Sequence, residues 1–420
     1  MEAEILFLTA FTGVLFLYSL VSRRIETTVV TAPMVFLTAG LVLGPGVLDI
    51  APIAADAGFV LFLGEFALVL LLFSDASRIN IAALRGGADL PARLLVIGLP
   101  LTIMAGTIAA ALLFTDLTLL EAAILGCLLA PTDAALGEAV VSSKRVPLRI
   151  RQALNVEAGL NDGAVIPVLT VLWAVMVAEE QMHTAGYWIA SSVVQIVTAV
   201  TVGAAIGLAG GWLVSRAKKN QWMEQTYEWI ALMAVAVLAW ILTDILGGSG
   251  FIAAFVAGLA AGAVYRQVVA SLIEFTVAEG EILGHIVFFI LGAISYLLIE
   301  NFSLEIVFYA VLSLTLVRML PVALSLIGKG LSGKTVLFMG WFGPRGLASV
   351  VLLLITIEEV GDAPGMQTIV SVVIATVVLS VFAHGISANP AIRAYGRHAE
   401  TLHARTPEKE TVAEVPGRRG

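Results

Sequence analysis

Apolar runs of roughly 18 or more residues recur along the chain with short polar gaps, the spacing of bilayer-crossing helices. Thirteen spans are predicted, near 4–22, 27–44, 57–75, 93–114, 118–141, 152–177, 187–215, 228–246, 250–265, 281–299, 304–328, 334–357 and 366–386. The expected fold is therefore an all-α polytopic membrane protein. Two spans carry breaks. Span 5 contains Pro131, which removes a backbone donor and biases its predecessor away from helix. Span 12 contains Gly343-Pro344-Arg345-Gly346. The two lie seven spans apart, as expected if spans 1–6 and 8–13 form inverted repeats of six helices around span 7. Paired Gly/Pro interruptions at corresponding positions point to a transport site near the bilayer midplane.

Charge tests this reading. The chain holds 23 Lys and Arg, and short cytoplasmic loops carry the positive excess in membrane proteins. All but Arg318 and Arg345 fall after odd-numbered spans or in the C-terminal tail. The N-terminus is thus expected outside and the C-terminus in the cytoplasm of a cell membrane. The first span is acidic before its apolar core and basic after it, the reverse of a signal peptide, so it is expected to be retained. Residues 397–420 are polar, of mixed charge and without apolar period, and read as a disordered cytoplasmic tail.

Composition agrees. Hydrophobic residues make up 59% and charged residues 13%, with mean hydropathy +0.99, against roughly 45–50% and about 25% in soluble domains. A net charge of -8 speaks against a nucleic-acid partner. The single cysteine, Cys127, excludes an intrachain disulfide.

Ionisable groups at membrane depth mark ion or proton pathways. Asp133, Glu157, Asp162, Arg318 and Arg345 lie deep within spans, whereas Glu65, Asp75, Glu121, Glu138 and Glu281 lie nearer span ends. Glu157 and Asn161, four apart, share a helix face. Asp162 is rotated from Asn161 by about 100°, so the two carboxylates can meet different surroundings. Thr132 and Asp133 offer hard oxygen ligands beside carbonyls freed by the break. Arg318 has no acid nearby in its own span, and Glu157 is its natural partner. Arg345 sits where a cation can offset the negative end of the first half-helix. His285 reads as a packing residue rather than a titrating switch.

Three segments together, VEAGLNDG in span 6, APTDAALG in span 5 and GPRG in span 12, resemble the monovalent cation:proton antiporter family. The likeness is to its sodium/proton branch, which carries an Asn-Asp pair, and extends over most of the membrane region. The resemblance implies that Asp162 binds cation and proton in turn, with Asp133 and Thr132 helping to coordinate Na+. It implies that Asn161 is held by the Glu157–Arg318 pair; Arg318 and Arg345 themselves read as residues that hold the core together rather than carry substrate. It further implies a homodimer, with a dimerisation part at about 1–75 and 228–299 and a moving core at about 93–177 and 304–386. Exchange of Na+ or Li+ for H+ would be electroneutral and need no cofactor, and the protein would not be an enzyme. Where the family commonly places a serine after the glutamate, this chain has Ala158, which leaves a K+/H+ antiporter of the same fold open. A sodium-coupled organic-anion symporter is a more distant reading. No phosphate-binding loop favours an ATP-driven pump, and no carbonyl filter favours a channel.

Overall fold

The computed structural model describes residues 2–25, 28–51, 57–79, 89–180, 185–265, 282–361, 363–403 and 405–410. They form helices α1 (Glu2–Ile25), α2 (Ala32–Leu43), α3 (Ala57–Ser77), α4 (Asp89–Leu113), α5 (Leu119–Leu128), α6 (Glu138–Val141), α7 (Leu148–Glu180), α8 (Ala185–Lys219), α9 (Gln225–Ile245) and α10 (Gly250–Val264). Then follow α11 (Ile282–Ile294), α12 (Leu304–Ser325), α13 (Gly333–Trp341), α14 (Leu347–Val360) and α15 (Met366–Thr401). No strand occurs among the described residues. Seven of these helices have the length and hydropathy of a full membrane span, and shorter apolar helices lie between them. This is a multi-pass membrane protein. Arg85, Arg266, Glu281 and residues 411–420 lie outside the described residues.

Irregularities follow from local chemistry. Pro100, without an N–H, lies just after a π-helical turn, Leu94–Gly98, in which the Leu99 N–H reaches back to the Leu94 carbonyl. Span 5 stops at Leu128 and resumes briefly as α6; span 12 divides into α13 and α14.

Lipid supplies no hydrophobic drive between helices, so close van der Waals contact between small residues takes its place. Gly203, Gly207 and Gly211 on α8 face Ala253, Ala257 and Ala261 on α10, and a β-carbon at Gly211 would stand 3.0 Å from the Ala261 Cα. The large apolar core joins α5, α7, α14 and α15 through residues such as Leu125, Ile166, Val350 and Val373.

A smaller apolar cluster sits at the end of the bundle where α4 and α7 begin, and includes Leu94, Leu154, Phe342, Ile392 and Tyr395. It corrects two expectations. Span 13, expected to end at 386, continues as helix to Thr401 because Ile392 and Tyr395 are buried in this cluster. The segment after it is also ordered, over 397–403 and 405–410, rather than disordered. Glu408, 1% exposed, accepts from the Ser332 N–H at 2.7 Å and the Thr335 hydroxyl at 3.0 Å. Arg149 donates to the Pro407 carbonyl at 2.6 Å and pairs with Glu410 at 2.5 Å and Asp89 at 2.8 Å. Periodicity misses this segment because backbone and carboxylate contacts, not an apolar face, hold it.

Burial alone would push the Glu408 carboxyl up, but hydrogen bonds from Ser332 and Thr335 outweigh it and hold it below the usual glutamate value. Docking therefore contributes stability above that ordinary value and loses it as pH falls through the lowered one. Hydrogen–deuterium exchange, corrected for intrinsic rates, should show residues 405–410 protected at neutral pH and released below about pH 4. Glu408→Gln should weaken docking by about 1–3 kcal/mol and reduce the acid dependence.

Candidate functional site

The two broken spans meet. At the first break the Asp133 N–H donates to the Pro344 carbonyl of the second at 2.7 Å, joining the two extended stretches. The Asp133 carboxylate then works in both directions. Oδ1 accepts from Ala135 N (2.7 Å) and Leu136 N (3.0 Å), and Oδ2 accepts from Leu347 N (2.6 Å) at the start of α14. A carboxylate there satisfies donors that a helix N-terminus leaves open and complements its positive end. Gly346 lies against this carboxylate so closely that a β-carbon would overlap Asp133.

Arg345 answers from the other side. Its Nη1 donates to the carbonyls of Ala130 (2.8 Å) and Pro131 (3.0 Å), just beyond the C-terminus of α5. The expectation that it offsets the end of its own first half-helix is thus corrected: its fork reaches across to the opposite break. The end of α13 is closed by His384, whose Nε2 lies 2.9 Å from the Trp341 carbonyl. Ser380, one turn earlier on α15, accepts from the Arg345 N–H at 2.7 Å and contacts the His384 ring at 3.2 Å. Neither Ser380 nor His384 stood out in the sequence, because each looks like an ordinary polar residue in an apolar helix.

Beside the crossing, Arg318 and Glu157 form a bidentate ion pair, Nη1–Oε1 2.5 Å and Nη2–Oε2 2.8 Å. The two residues are 1% and 2% exposed. Gly343 borders the guanidinium, and no side chain fits between them. Asn161 does not lean on this pair. Its Nδ2 donates to the Thr132 hydroxyl at 2.6 Å, tying α7 to the first break. The Glu157 oxygens accept from the two arms of Arg318. The Asn161 Oδ1 is buried without a donor among the described residues, an exception to the rule that buried polar atoms are paired.

Asp162 is buried, 6% exposed, one helical turn beyond Ala158. A cavity of about 310 Å3, counting the open space at its mouth, is lined by Thr132, Asp133, Asn155, Ala158, Phe342 and Pro344 among others. Thr132, Asp133 and Asn161 are therefore brought together, with Asp162 deeper along the same helix. Of the remaining acids, Asp75 lies near Gly159, and Glu121 accepts from the Gly365 N–H at 2.8 Å, capping α15. His285 stacks on Phe36, ring centroids 4.2 Å apart, as a packing residue does.

Breaking the buried pair from one side leaves an uncompensated charge, at a cost of about 3–5 kcal/mol. Arg318→Ala or Glu157→Ala should lower the detergent melting temperature markedly. The double Glu157→Gln, Arg318→Met variant should recover much of the loss, which thermal-shift measurements would check.

Comparison with known proteins bears on the fold and the family. The fold matches the sodium proton antiporter MjNhaP1 of Methanocaldococcus jannaschii with a TM-score of 0.77 at 22% identity, covering 96% of this chain and 99% of that one. The sequence is 28% identical over 391 residues to the K+/H+ antiporter NhaP of Alkalimonas amylolytica. It is 25% identical over 390 residues to K+/H+ antiporter NhaP2 of Shewanella oneidensis. Each of these alignments covers 91% of this chain and 65% of the relative, so the chain spans about two thirds of their length. The family model for transmembrane sodium/hydrogen exchangers matches residues 8–394, and the chain belongs to that family.

Proposed function

We propose that the chain is a secondary active antiporter that exchanges an alkali cation for H+ by alternating access. The observation that carries this reading is a buried carboxylate, Asp162, one turn beyond a cavity that Thr132 and Asp133 line at two crossed, broken helices. An ionised carboxylate at membrane depth is costly. A proton or a cation can neutralise it, and the two exclude each other at one site. Loaded, the core crosses its apolar barrier; empty and charged, it does not. One H+ then exchanges for one cation without net charge movement. The names of the relatives, K+/H+ and sodium proton antiporters, support the same class.

Na+ or Li+ is the first reading for the cation, with Asp162, Asp133 and Thr132 as its oxygen donors. A specific observation favours a second, K+. The site lacks a hydroxyl at Ala158, and K+, the larger ion, sheds hydration water at lower cost than Na+ and so needs less compensation from protein oxygens. Residues about 93–177 and 304–386 form the moving core in this reading, since the crossing and the Glu157–Arg318 pair bind its helices together. Residues about 1–75 and 228–299 form the dimerisation part of a homodimer. The N-terminus lies outside and the α4, α7 and α13 starts face the cytoplasm, which places the basic residues Arg149 and Lys329 there.

Everted vesicles with a ΔpH-sensitive dye test this. Cation-driven dequenching is expected from the unaltered chain and background signal from Asp162→Asn; activity retained in that variant would overturn the proposal. Ala158→Ser should shift the Na+ over K+ preference by several-fold toward Na+, read from half-saturation in the same vesicles.

A further inference from the structure

Every polar side chain among the described residues that line the cavity has a partner except one. The Thr132 hydroxyl accepts from Asn161, and the Asp133 carboxylate accepts three backbone N–H groups. Asn155, half-buried on α7, lines the same cavity and makes no hydrogen bond to another described residue. Its remaining neighbours there are apolar, including Leu154, Val140 and Phe342. Half-buried, the amide is open to water or a ligand in the cavity.

Helical geometry gives Asn155 a direction. Seven residues separate it from Asp162, about 20° short of two full turns and about 10.5 Å along the axis. Asn155, Ala158 and Asp162 therefore lie along one face, with Asn155 nearer the start of α7. An ion coming from that end meets the Asn155 amide first and the carboxylate two turns later. Ala158 lies between them and offers no oxygen.

We propose that Asn155 is an entry ligand for the transported alkali cation on the cytoplasmic side, its amide oxygen replacing a hydration water before the ion reaches Asp162. The inference rests on the antiporter reading and deepens it. A neutral oxygen is the appropriate chemistry. It lowers the cost of shedding water, yet holds the ion weakly enough for onward movement, the balance that conduction through successive sites requires. A carboxylate at the same position would hold the ion and compete with Asp162.

The test uses the full chain in everted vesicles, with Na+ and K+ titrated separately from the cytoplasmic face. Asn155→Ala should raise the half-saturating concentration about tenfold, as expected for one lost contact to a charged group, with the maximal rate largely kept. Asn155→Asp should lower the half-saturating concentration and also slow the maximal rate. Asn155→Gln should restore near-normal behaviour. A purely structural asparagine would not produce opposite shifts in the Ala and Asp variants. Size-exclusion profiles establish folding, and if the alanine variant fails there, the near-isosteric aspartate variant decides. Half-saturation within twofold of the unaltered chain in the folded variants would overturn the role of Asn155. Absence of any cation-driven signal from the unaltered chain would instead overturn the antiporter reading.

Discussion

A helix broken at membrane depth exposes backbone donors and acceptors that lipid cannot satisfy, and the structure depends on how those groups are answered. Here each break answers the other. Asp133, from the first, supplies a carboxylate to the N-terminus of α14; Arg345, from the second, supplies a guanidinium to the carbonyls beyond α5. The signs match the partial charges at the two helix ends. Gly346 is the steric condition for this arrangement, since anything larger would displace the Asp133 carboxylate.

The remaining polar groups build outward from that crossing. Arg318 and Glu157 neutralise each other in a fully desolvated fork, while Asn161 bonds to Thr132 in the first break. These contacts tie α7 and α12 to the break regions. On the far side Ser380 and His384 of α15 hold Arg345 and the end of α13. Asp162 thus sits in a frame fixed by hydrogen bonds, beside a cavity whose walls are mostly apolar. Polar groups locked in place cost little to reorganise when an ion or proton arrives, which suits the proposed ion site.

Elsewhere the chain relies on different forces. The α8–α10 contact depends on small residues and backbone proximity. The end that carries the starts of α4, α7 and α13 is held by an apolar cluster and by the docked segment 405–410, where Arg149 gathers Asp89, Pro407 and Glu410. That segment is bonded to α7 and to the start of α13, both of which carry residues of the site.

The sequence by itself determined the solvent, the helical class, the two breaks and the few ionisable groups in apolar spans. Run length, proline and glycine positions and buried charge are all properties of the local chain. It also allowed Arg318 to be paired with Glu157, because a buried arginine needs a carboxylate and few were available. Tertiary structure decided which group each remaining side chain meets. Arg345 caps the opposite break, Asn161 bonds Thr132 rather than the ion pair, and Asn155 faces a cavity instead of a neighbouring helix. It also decided that the polar segment after residue 397 is ordered through Glu410 over its described residues. Helical spacing fixes which residues share a face, whereas these partners come from other helices, whose distance and rotation only packing sets.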